Sequence, residues 1–194
     1  MDNVRPPFLV TIDGPASSGK GTLAHRLGVH YGASVLDTGL LYRYVGLAAL
    51  RAGLDPKDEV SAAQFAREKM AALTLADLKD PDLRGQEASH GASVFAQILP
   101  LRCELDGYQR DFARAPFPLP DGSAPRGAIL DGRDIGTVIC PDADAKLFVT
   151  ATPEVRAARR AKDVPESYES VLADIKARIQ AAQTRAVLAV NAEL

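Results

Sequence analysis

Cys103 and Cys140 are the only thiols among the 194 residues. Two cysteines in a chain this long make no disulfide framework, so a reducing compartment is expected. Histidine is equally scarce: His25, His30 and His90 have no metal-ligand spacing and no cysteine pair nearby, and surface or helix-end positions are expected for them. No apolar h-region opens the chain and no run approaches the roughly 20 apolar residues of a membrane span, so no membrane partner and a cytoplasmic location are expected. The formal charge is only −2, which excludes a broad basic surface for polymeric nucleic acid. There is no internal repeat, and the guanine-reading N-K-x-D of GTPases is absent.

What is present suits one compact α/β domain, or one domain with a small insert: 46% of the residues are hydrophobic. Arginine outnumbers lysine sixteen to seven, and its planar fork pairs well with phosphate oxygens. "FLVTI" (8–12) and "ASVLDT" (33–38) read as buried strands. Leu23, Leu27 and Tyr31 between them fall four apart and predict one apolar helix stripe. Leu40, Tyr44, Leu47 and Ala48 mark a second helix, closed near Gly53 and Pro56. From Asp55 to Arg114 the pattern is mostly helical, with breaks at "KDPD" (79–82) and Pro100. "PFPLPDGSAP" (116–125), with four prolines, reads as a surface loop. "GAILDG" (127–132) and "AKLFVTA" (145–151) are the third and fourth strands, and Pro153 opens a helix. Tyr168, Val171, Leu172, Ile175 and Ile179 stripe a last helix reaching about Val187. Strands alternating with helices imply a parallel sheet.

"GPASSGKGT", Gly14 to Thr22, lies between the first strand and the first helix. A G-x-x-x-x-G-K loop there turns successive N–H groups inward, and the helix start adds partial positive charge, so phosphate oxygens fit. Lys20 would reach the β- and γ-phosphates, Thr22 would offer its hydroxyl to Mg²⁺, and Gly14, Gly19 and Gly21 would admit close backbone approach. Gly21 stands between the lysine and the hydroxyl residue that usually follows it directly. "GKGTLA" also fits a dinucleotide fingerprint with Asp37 as the ribose acid, but Gly19 comes seven residues after Ile12, too far for that fold's tight turn. A glycine-rich turn with no ligand is the third reading. Among triphosphate users, a chain this short suits a small-molecule kinase.

"TIDGPASSGKGT", "LDTGLLYR", "LRGQEA", "DGRDIGTVICPDA", "IKAR" and "TRAV", in that order from residue 8 to about 187, resemble the bacterial cytidylate kinases. "DGRDIGTV" after a strand is the specific element; many families share the glycine loop. The resemblance implies a three-layer α/β/α P-loop kinase with a central parallel sheet, built as a single domain over 1–194. It also implies a small helical nucleotide-binding insert at about 55–115 and a lid at about 160–168. The implied reaction moves the γ-phosphoryl group of ATP to CMP or dCMP with Mg²⁺, in a protein expected to be a monomer.

Carried onto this chain, the ATP-binding loop is Gly14, Pro15, Ala16, Ser17, Ser18, Gly19, Lys20, Gly21 and Thr22. Thr38, Arg43, Arg133 and Arg185 resemble acceptor-phosphate contacts, with Asp37, Asp131, Gly132 and Arg178 around them. Ser93, Arg102 and Asp134 resemble the cytosine-reading set. Lys20, Arg133, Arg156 and Arg160 are the expected catalytic cations, and Arg159 is a further lid candidate. Plainer duties compete: solvated helix surface for Arg156, Arg159, Arg160 and Ser93, and turn caps for Asp37 and Asp131.

Two departures stand out. The family's aspartate between the two late arginines is Ala182 here, and the chain stops at Leu194, where the family continues into a fifth strand and a closing helix. The fourth strand is then expected to be an apolar sheet edge. Two further readings follow: a P-loop kinase of a small hydroxyl metabolite with Asp37 or Asp131 as base, and a nucleotide-binding remnant without catalysis.

Overall fold

The computed structural model describes residues 6–192, with side chains to residue 180. Four strands, β1 (Leu9–Asp13), β2 (Ala33–Asp37), β3 (Gly127–Gly132) and β4 (Ala145–Phe148), form one sheet in the order β2-β3-β1-β4. β3 pairs parallel with both β1 and β2 and is buried along its whole length. In register, Asp37 lies opposite Asp131 and Asp13 opposite Gly132, so three carboxylates gather at the carboxyl end of the sheet. That end is where α/β sheets bind ligands. β4 is exposed throughout, with Phe148 72% exposed, as the apolar-edge expectation had it.

The described residues also form seven α-helices: α1 (Lys20–Tyr31), α2 (Thr38–Arg51), α3 (Glu59–Ala72), α4 (Gln86–Phe95), α5 (Leu99–Arg114), α6 (Pro153–Arg160) and α7 (Tyr168–Ala192). Their starts are written locally. Asp37, Asp58 and Thr152 accept from Gly39, Ser61 and Val155 N–H groups as N-caps, and Pro153 takes the tolerated first position. Pro100 is the second residue of α5, within the first turn where proline is tolerated, so a helix opens at the place read as a break. The "KDPD" stretch forms two 3₁₀ turns, Asp77–Lys79 and Pro81–Arg84. Between Asp55 and Ala115 there is no strand.

Contacts divide the chain into two compact units, Met1–Asp13 with Gly21–Leu147, and Gly14–Lys20 with Phe148–Leu194. The first holds the main core, where Leu36, Leu130 and Ile135 from the sheet side meet Leu41, Val45, Phe95, Leu101 and Leu105 from α2, α4 and α5. α2 and α4 touch backbone to backbone: a Cβ on Gly46 would collide with Gly91 and Ala92, and one on Gly91 with Gly46. In the second unit the predicted α7 stripe is buried, with Val171 and Ile175 closing on Ala157 of α6 and Tyr168, Leu172 and Ile179 flanking them.

The α1 stripe is corrected. Ala24 and Gly28 are its buried residues, whereas Tyr31 is 50% exposed. The reason is proximity: a Cβ on Gly28 would strike Val35 of β2, so the helix lies too close to the sheet for leucines at the contact. His25, His30 and His90 are exposed, and no described helix is long and apolar enough to cross a membrane.

Candidate active site

The strand-to-helix loop belongs to the second unit and is shaped by what it touches there. Gly14 (φ +150°) admits no side chain, because a Cβ would run into the Val149 carbonyl. Gly19 (φ +102°) would bring its Cβ to 3.1 Å from Arg159 Nη1. Ser17 is the one described non-glycine residue with positive φ, +61°. Ser18 N–H donates to the Pro15 carbonyl at 3.4 Å, closing a turn before Lys20 starts α1. Ser18 Oγ is buried with no hydrogen-bond partner, a polar group available inside the loop.

Two of the three α6 arginines grip this loop. Arg156 Nε donates to the Ala16 carbonyl at 2.9 Å. Arg159 Nη1 donates to the Ser18 carbonyl at 2.7 Å and the Ser17 carbonyl at 3.3 Å. Arg160 is half-buried at the end of α6, before the turn 161–167 that leads to α7. Arg178 is exposed on α7 and pairs with Asp174 at 2.7 Å. Arg185 and Ala182 lie outside the residues whose side chains are described.

The first unit carries the expected acceptor residues. Asp131 is 2% exposed, and its Oδ2 would be 3.2 Å from a Cβ on Gly21, so a carboxylate sits beside Gly21 in the first turn of α1, the turn that carries Thr22. Hydroxyl and carboxylate oxygens suit Mg²⁺, which takes one or two protein ligands and completes its shell with phosphate and water. Among the described residues no group of three or more acidic, histidine or cysteine side chains could hold a metal ion.

Thr38 is buried, and its hydroxyl donates to the Asp131 carbonyl at 2.8 Å, tying the start of α2 to the end of β3. Asp37 is exposed and spends one oxygen on the Gly39 N–H at 3.0 Å. Arg43, one turn into α2, donates to the Leu83 carbonyl at 2.9 Å, so the 3₁₀ turn in "LRGQEA" aims it. Gly132 has no room for a side chain, since a Cβ would meet Ile135 at 2.5 Å and Thr38 Oγ1 at 2.8 Å. Arg133 next to it is exposed.

Of the three residues expected to read cytosine, two are brought together. Arg102 of α5 and Asp134, just past β3, form an ion pair at 3.4 Å. Ser93 is exposed on α4, with its hydroxyl donating to the Ser89 carbonyl one turn back.

Around this pair stand residues that the sequence reading did not single out. Tyr42 lies against Asp106 and Gln109, and burial, then the Asp106 charge, pushes its hydroxyl up to about 12. Asp106 is raised above the usual carboxylate range, chiefly by burial, with Arg102 and Arg110 pulling it back down. Arg110 donates to the Ile139 carbonyl at 3.1 Å, bracing the π turn Ile135–Ile139 that follows Asp134. Arg102, Asp106 and Arg110 recur every four residues, a legible signal of one helix face with alternating charge.

Asp13 is the other omission. Its buried carboxylate accepts from Ile135 N–H at 2.9 Å and Gly136 N–H at 2.8 Å, anchoring the "DGRDIG" turn to β1. It lies inside the motif already quoted, one residue before the loop.

Comparison with known proteins identifies the family. The cytidylate kinase family model matches residues 10–193. A cytidylate kinase of Paramagnetospirillum magneticum is 49% identical over 184 residues, covering 92% of this chain and 82% of the relative. Those of Bradyrhizobium sp. and Methylobacterium sp. are 46% and 49% identical, over 93% and 88% of this chain and 81% and 78% of theirs. A phosphate-type loop entering α1, an arginine and aspartate paired beyond β3, and likeness at this level over nine-tenths of its length place the chain in the cytidylate kinase family.

Proposed function

We propose that the chain transfers the γ-phosphoryl group of ATP to CMP or dCMP, giving CDP or dCDP. The observation that carries the acceptor's identity is the Arg102–Asp134 pair. Cytosine presents an amino donor beside acceptor atoms. A carboxylate accepts from that amino group, and a guanidinium supplies donors for the neighbouring acceptors. Uracil, with a carbonyl in place of the amino group, leaves the carboxylate facing an acceptor.

The chemistry needs little beyond placement and charge. A nucleoside monophosphate brings its own anionic nucleophile, so no strong base is required, only alignment and neutralisation of the transferring group. Arg43, Arg133 and Arg185 would hold the acceptor phosphate, with Thr38, Asp37, Gly132 and Arg178 shaping its surroundings. The loop from Gly14 to Thr22 would hold the donor phosphates, with Lys20, Arg156 and Arg160 as the cations closest to the transferred charge. Thr22 and Asp131 would hold Mg²⁺, which supplies charge neutralisation at the β- and γ-phosphates when bound. The N-cap bond of Asp37 weakens the alternative in which it serves as base toward a hydroxyl metabolite. Such an enzyme would work as a monomer on cytoplasmic nucleotides.

The test is a panel of CMP, dCMP, UMP and AMP with MgATP, followed by ADP release. CMP and dCMP should turn over fastest. Preference for AMP, or turnover of none, would remove the assignment.

A further inference from the structure

The Arg159 side chain has a role that its place among the lid arginines does not suggest. Its Nη1 reaches the carbonyls of Ser17 and Ser18, at 3.3 and 2.7 Å, and is the atom closest to a Cβ built on Gly19. Those two carbonyls belong to consecutive peptide planes. A trans peptide is flat, with its C=O and N–H pointing in opposite directions. Holding the Ser17 and Ser18 oxygens toward α6 therefore turns the N–H groups of Ser18 and Gly19 the other way: that of Ser18 closes the turn onto the Pro15 carbonyl, and that of Gly19 points into the loop.

Ser17 adds a second, independent observation. Its φ of +61° is a left-handed conformation that a serine enters at a cost and keeps only where its surroundings over-determine it. Among the described residues, the side chain that donates to the Ser17 carbonyl is Arg159.

We propose that Arg159 is a positioning residue for the phosphate loop: by clamping the Ser17 and Ser18 carbonyls it keeps Ser17 left-handed and aims the Gly19 amide at the donor phosphates. It acts through the backbone, not on the nucleotide. A guanidinium suits the task because it holds its charge at every working pH and spreads planar donors over adjacent oxygens. Glycine at 19 is required by its φ of +102°, and the guanidinium, 3.1 Å from where a Cβ would stand, adds a tight contact there.

This rests on the reading of the loop as an ATP site, and its test is separate from that of the acceptor. MgATP binding is titrated by calorimetry, without CMP, for the unsubstituted chain, Arg159→Ala, Ser17→Gly and the double variant. Arg159→Ala should weaken MgATP binding about tenfold, the usual scale for a lost charge-assisted hydrogen bond. In the Ser17→Gly background the same substitution should cost less than about threefold, because glycine takes positive φ without penalty. An equal loss in both backgrounds would mean that Arg159 contacts the nucleotide itself and would overturn the proposal, as would an unchanged affinity in Arg159→Ala. Failure of CMP to turn over with MgATP binding intact would remove the cytidylate reaction and leave the clamp standing. No MgATP binding by the unsubstituted chain would overturn both.

Discussion

Asp13 offers the sharpest check on how the acceptor side is held. Its carboxylate is 7% exposed and accepts two backbone donors from one turn, Ile135 N–H at 2.9 Å and Gly136 N–H at 2.8 Å. Each is a charge-assisted bond of about 1.5–3 kcal/mol net, and deletion also strands two buried N–H groups. Asp13→Ala should therefore lose about 3–5 kcal/mol, much of the margin of a domain of this size. Asp13→Asn is the more telling change. It keeps the shape and one acceptor oxygen, but sets an NH₂ donor against the second N–H, so about 2–3 kcal/mol should still go. Equilibrium urea unfolding measures both. Because the anchored turn begins at Asp134, KM for CMP should rise in Asp13→Asn more than KM for ATP. A loss under about 1 kcal/mol in Asp13→Asn, with KM for CMP unmoved, would refute the argument that these two bonds fix the turn.

Three further outcomes are expected. Lys20→Ala should lower kcat by about 100-fold or more, the scale of one preorganised charge donor removed from a transition state, as read by ADP release. Asp106→Asn should stabilise the fold at neutral pH. The native carboxyl has its pKa raised by burial, so between the unfolded value near 4 and the higher folded value the native state binds more protons, and its stability falls as pH rises through that window. Thermal melts of the two proteins should converge below about pH 4 and separate above it. Gly46→Ala should cost about 2 kcal/mol or more by forcing α2 and α4 apart, seen as a lowered urea midpoint with an unchanged slope.

The sheet and the helix order were legible because each had a local cause. β3 is a continuous apolar run closed by aspartate and glycine, and its strand bounds match the reading residue for residue. The α7 stripe follows the 3.6-residue period and is buried as that period demands. α1 was misread because a hydrophobic period assumes that large residues make the contact. Here the helix rests on β2 through Ala24 and Gly28, so its leucines lie at the margin.

The site divided along the same line. Thr38, Arg43 and Gly132 are set by neighbours within or near their motifs, and their partners follow from chain order. The Asp13 anchor spans 122 and 123 residues of sequence, and the Tyr42–Asp106 contact joins helices separated by the whole α3–α4 region. No local pattern announces pairings of that reach. The four-residue spacing of Arg102, Asp106 and Arg110 could have marked their common face, though the sequence reading passed over it, and it carries no sign of the tyrosine opposite.

The meeting of Gly46 with Gly91 limits how this fold could be re-tooled. One of those helices carries Arg43 and the other Ser93, and with no side chains between them at the crossing they have no slack to slide or part. If the acceptor base lies against these two helices as proposed, a larger base such as a purine would find room only by trimming side chains, so a change of nucleobase preference should leave its mark in side chains while the glycine crossing stays as it is.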